Sequence, residues 1–97
     1  MGPKPTVAVH VAGPLREYCG GAAQLSLSAQ TVREVLVELE GSQNAFYRNI
    51  CDETGKVRQH LNVFVNADNV RDLDGVDTIL RAGDVITFLP AVSGGRR

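Results

Sequence analysis

The sequence predicts an α+β fold in which one main helix covers one face of a small mixed sheet, and three observations lead there. Apolar residues alternate with polar or smaller ones in four short stretches, TVAVHVA, QLSLS, LNVFVN and VITFLP, which is the period of a strand. Between the second and third, TVREVLVELE changes to the period of an amphipathic helix. The chain has 97 residues, 43% of them hydrophobic, enough for one modest core without staples. A single helix laid on the sheet is the simplest way to bury these stripes.

In the first strand, Thr6 to Ala12, Val7, Val9 and Val11 share one face, and Ala8, His10 and Ala12 share the other. GPLREYCGGAA follows, too long for a tight hairpin and expected to be a mobile loop. Gln24 to Ser28 alternates again with Leu25 and Leu27 inward, so the first two strands are expected to pair antiparallel. Val32, Val35, Leu36 and Leu39 then fall on one helical face, with Arg33, Glu34, Glu38 and Glu40 on the solvent side. Thr31 is placed as N-cap with Glu34 three residues on, the spacing of a capping box. Gly41 is read as the stop, giving a helix over 32–40.

Ala45, Phe46, Asn49 and Ile50 suggest a short second helix, and ETGK a turn. In LNVFVN, Leu61, Val63 and Val65 face one way and Phe64 the other. The polar stretch from Ala67 to Asp84 reads as an irregular link with room for a minor strand, anchored by Val70, Leu73, Val76, Ile79 and Leu80. VITFLP is the last strand, closed by Pro90, which has no N–H for a sheet ladder. Residues 1–90 are therefore read as one domain and residues 91–97 as a flexible tail.

Several function classes are excluded. The formal net charge of −1 argues against nucleic acid, whose phosphates select a basic face. No apolar run approaches the roughly 20 residues that span a bilayer, and no signal peptide is evident at the N-terminus. Cys19 and Cys51 are too few for an iron–sulfur cluster, and with His10 and His60 scattered, no metal site is expected. Two reduced thiols in a cytoplasmic protein is the reading taken. Asp72, Asp74 and Gly75 fit three positions of a calcium loop, but Val70 and Arg81 stand where its end carboxylates are needed. Asp68, Asp72, Asp74, Asp77 and Asp84 leave this region acidic, either as a solvated connection or as a patch for a basic partner. Phosphate-loop, dinucleotide and zinc-protease motifs are absent. No serine has a histidine near it in sequence, and a domain this small is expected to have little room for a ligand pocket.

The distinctive element is FLPAVSGGRR. Gly94 and Gly95 lack Cβ, so this peptide can enter a channel too narrow for side chains. Such an arm suits insertion into another enzyme's active site. A carboxylate is a poor electrophile; adenylation with ATP removes its charge and supplies a leaving group, which sulfur can then displace.

The run from Asn62 to Gly95 resembles the C-terminal half of small ubiquitin-like sulfur carriers. These are the molybdopterin-synthase small subunit, the thiamine sulfur carrier and, most nearly, the cysteine-biosynthesis carrier. The resemblance rests on VFVN, on LRAGDVI and on LPAVSGG, and TVREVLVELE is similar to the family's helix. It implies a ubiquitin-like β-grasp fold and a protein that is a cosubstrate rather than an enzyme. It further implies that Gly95 bears the thiocarboxylate, preceded by Gly94, and that Leu89, Pro90, Ala91 and Val92 lie along the partner. Phe64 either joins Leu89 in an exposed apolar patch or lies under the loop from Gly13 to Ala23. The implied partners are a ubiquitin-activating-like enzyme that uses ATP, with no cofactor bound by the carrier itself, and a sulfur-accepting synthase of the cysteine synthase kind. Arg96 and Arg97 depart from the family pattern, since an amidated Gly95 cannot be adenylated; a protease, such as a metalloprotease, is expected to cut between Gly95 and Arg96. Conjugation to lysines through Gly95, and service as a molybdopterin-synthase subunit, are the competing readings.

Overall fold

The alternating stretches do become strands, and their shared apolar face organises the molecule. The computed structural model describes residues 3–90. Strands β1 (Thr6–Val11), β2 (Gln24–Ser28), β3 (Leu61–Val65), β4 (Asp68–Asn69) and β5 (Val85–Pro90) form one sheet in the order β2-β1-β5-β3-β4. β1 pairs antiparallel with β2, as expected, and parallel with β5. β3 pairs antiparallel with both β5 and β4, and β4 is the minor strand of the link. The fold is α+β, a ubiquitin-like β-grasp.

One face of the sheet is covered. Val7, Val9, Val11, Leu61, Val63, Val65, Ile86 and Phe88 are buried there against Val32, Val35, Leu36 and Leu39 of helix α1 (Val32–Ser42) and Phe46 and Ile50 of helix α2 (Asn44–Ile50). The rings of Phe46 and Phe88 meet edge-to-face, with centroids 5.9 Å apart and planes at 81°, the arrangement aromatic quadrupoles favour.

Three expectations need correction. The stretch after β1 is not an open loop: Gly13–Cys19 is a 3-10 helix that buries Leu15 and Cys19 in the core, beside α2. Gly41 does not stop α1. The helix runs through it to Ser42 and breaks at Gln43, whose φ of −138° and ψ of 61° turn the chain directly into α2. Asn66 belongs to a turn rather than to β3, since its φ is 56°.

The cap of α1 is built almost as expected. Thr31 Oγ1 accepts the Glu34 N–H at 3.2 Å, while Glu34 Oε1 accepts the N–H of Gln30, one residue earlier than in a capping box. The acidic link is stitched down rather than merely solvated. Leu80 N–H donates to Gln30 O and Val32 N–H to Thr78 O. Arg33 holds Asp77 at 3.0 Å. The buried Thr78 hydroxyl donates to Gly75 O and accepts from Asp74 N–H, so its polar atom is satisfied.

Candidate functional site

The described chain ends with β5, the middle strand of the sheet, flanked by β1 and β3. Strand parity sends Ile86 and Phe88 into the core and Thr87 and Leu89 to the opposite, open face. Cα pairing then assembles a row across all five strands, Gln24–His10–Thr87–Phe64–Asn69. Leu89 stands opposite Asn62, on the same face and one step along from Phe64. Leu89 is 39% exposed and Phe64 is partly buried.

Of the two placements open for Phe64, the one beneath residues 13–23 does not hold, because that segment packs its Leu15 and Cys19 into the core on the other face. Pro90 stands opposite Leu61 at the end of the described chain. Ala91, Val92, Gly94, Gly95, Arg96 and Arg97 lie outside the described residues.

Strand parity in the sequence turned Thr87 outward with Leu89, but it neither placed Asn62 here nor showed that His10, Thr87 and Phe64 are neighbours. The parity of VAVHVA already set His10 apart from the valines. What lay hidden was the parallel pairing of β1 with β5, a contact between the two ends of the chain. The central row holds no Asp, Glu, Lys or Arg, so it offers chiefly apolar and hydrogen-bonding contact.

Two clefts of ordinary ligand size contradict the expectation that there would be no room for them. A polar one of about 580 Å³ is lined by Glu40, Tyr47, Arg48, Cys51, Asp52 and Arg58, among others. Burial, with the Asp52 charge adding, pushes the Cys51 thiol up to about 11, so at neutral pH it is a thiol and not the reactive thiolate. Cys51 is thus not an activated nucleophile in this cleft. The second, apolar, has a volume of about 570 Å³. Among the described residues no group of three or more His, Cys, Asp or Glu side chains is placed to hold a metal ion, and no helix is long and apolar enough to cross a membrane.

The ThiS family profile matches residues 9–95, from β1 through Gly95. The chain belongs to the ThiS family. The sulfur carrier protein CysO of Mycobacterium tuberculosis is 34% identical to this ThiS-family chain over 91 residues, 92% of this chain and 98% of the relative. A CysO in complex with BexX from Amycolatopsis orientalis superposes with a TM-score of 0.81 at 31% identity, covering 92% of this chain and 99% of that one. Small archaeal modifier protein 1 of Methanosarcina acetivorans does so with a TM-score of 0.81 at 34% identity, covering 97% of this chain and all (100%) of that one. The relatives are small ubiquitin-like carriers and modifiers, and this chain is a protein of that kind rather than an enzyme.

Proposed function

We propose that this ThiS-family protein is a sulfur carrier whose working group is the carboxylate of Gly95. Cleavage of the Gly95–Arg96 bond frees that carboxylate. It attacks the α-phosphate of ATP in a ubiquitin-activating-like enzyme, giving an acyl-adenylate and pyrophosphate. A sulfur nucleophile then displaces AMP, and the resulting thiocarboxylate delivers sulfur to an acceptor bound by a synthase. The reading is carried by a likeness to CysO that runs over nearly the whole chain, together with a family match whose last residue is Gly95.

The geometry suits the role. β5 fixes the tail's root between two partner strands, while Thr87 and Leu89 of the same strand, with Phe64, face outward where a partner can grip them. Leu89, Pro90, Ala91 and Val92 then lead to Gly94 and Gly95, the segment the partner's channel would take. A cysteine synthase-like acceptor enzyme is the partner we assign, with a metalloprotease for the cut before Arg96.

ATP–pyrophosphate exchange with the cognate adenylating enzyme tests this. Exchange is expected with a chain ending at Gly95 and not with the chain carrying Arg96 and Arg97; equal exchange by both rejects the processing step, and none by either rejects the carrier reading. The likeness to a small archaeal modifier protein supports a second reading, conjugation to lysine through Gly95. Intact-mass analysis separates the two, since a carrier exchanges one oxygen for sulfur and a modifier appears in isopeptide-linked adducts.

A further inference from the structure

On the helix side of the molecule, away from the open sheet face, an apolar groove runs between α1 and the irregular segments before β3 and after β4. Its larger part, about 570 Å³, is lined by Leu36, Val37, Val57 and Val76, with Arg33 and Lys56. A smaller part of about 180 Å³ shares Val57 and Val76 and continues to Leu61, with Arg58 and Arg71. The two parts adjoin at Val57 and Val76.

Three properties of this groove coincide. Val37 is 60% exposed at a helix position where its neighbours Glu38 and Glu40 are charged, so an apolar edge faces water beside an apolar floor. Neither part is lined by an aspartate or glutamate, although the chain has 11 of these against 10 lysines and arginines. Arg33 is held by Asp77 and the Arg58 guanidinium is turned to the Arg48 carbonyl on the polar cleft, which leaves Lys56 and Arg71 as rim cations with no ion pair among the described residues. Finally, Leu61 at the groove's far end stands opposite Pro90, the last described residue before the tail segment.

An apolar floor with a rim of cations is complementary to a peptide that intersperses carboxylates with apolar side chains. We propose that the groove docks such an acidic, apolar segment, presented by the enzyme that receives the tail; the identity of that partner rests on the function proposed above. A hold at this place fixes the body of the carrier next to the root of the tail. Body and tail then act as two linked contacts, the second made at a raised effective concentration.

The test is a titration of the isotopically labelled full chain with a capped heptapeptide alternating Glu and Leu, and with one alternating Lys and Leu. The acidic peptide should shift the amide signals of Val37, Val57, Arg71 and Val76 and leave Phe64 and Thr87 unmoved; the basic one should shift none. The charge reversal Lys56→Glu with Arg71→Glu, both exposed and outside the core, should weaken binding about tenfold, and added salt should weaken it further. Val37→Ser should also weaken it while leaving the fold intact. No shift with the acidic peptide, equal shifts with both peptides, or shifts confined to the sheet face would overturn the docking site. Because the readout needs neither ATP nor an adenylating enzyme, it stands or falls separately from the exchange assay.

Discussion

Phe88 is fully buried on β5 and meets Phe46 of α2 edge-on, so it fastens the strand beneath the tail to the helical layer. Phe88→Ala leaves a cavity and removes the aromatic pair, and should lower the unfolding free energy by about 3–5 kcal/mol in urea denaturation. Phe88→Leu, which keeps most of the volume, should lose markedly less. Glu34 is a pH-dependent contributor. The Gln30 N–H, helped by the Lys4 ammonium, lowers its pKa below the reference 4.5. A lowered folded-state pKa gives stability that is present above the unfolded value and lost as pH falls through the folded one. The stability difference between the parent and Glu34→Gln should therefore be constant at neutral pH and shrink on acidification below about 4.5, as thermal melts across that range would show. The thiols offer a probe of opening: Cys19 and Cys51 are both buried with raised pKa values, so native alkylation should be slow and should accelerate with denaturant.

Among the elements, α1 was the most legible in sequence, because its period, cap and length are local properties. Thr31→Ala removes the oxygen that accepts the Glu34 N–H and should cost about 1 kcal/mol, measurable as a shifted denaturation midpoint. VFVN was visible as a motif, yet its physics was not. Asn66 adopts a left-handed φ of 56°, its Oδ1 accepts the Val85 N–H and its Nδ2 donates to Asp84. It thus closes the turn after β3 and aligns the start of β5. Asn66→Ala should cost about 1–3 kcal/mol through strain and lost bonds, read by the same unfolding measurement. The 3-10 helix over Gly13–Cys19 went unread because its glycines and proline are loop signals. The burial of Leu15 and Cys19 comes from packing beside α2, a tertiary effect. The end of α1 was misplaced for a related reason: it is fixed by where α2 begins, not by Gly41.

At the scale of the whole molecule, the parallel pairing of β1 with β5 joins the ends of the chain, and no local pattern could announce it. The open face and the groove both depend on such distant contacts, so parity could set Phe64, Leu89 and His10 on their faces but could not make His10 a neighbour of Thr87 or assemble the cationic rim. The tail signature, by contrast, needed no fold to be noticed. The buried cluster among the described residues is drawn from Val7 through Phe88. A chain ending at Pro90 should therefore keep its denaturation midpoint while losing all exchange with the adenylating enzyme. The position of β5 also bears on what happens when a partner tugs. A load applied through Pro90 runs along a strand laced on both flanks, to β1 with the same polarity and to β3 with the opposite one. Its ladders must yield in shear together rather than unzip one bond at a time, so the carrier's handle can be hauled on repeatedly without unravelling its body.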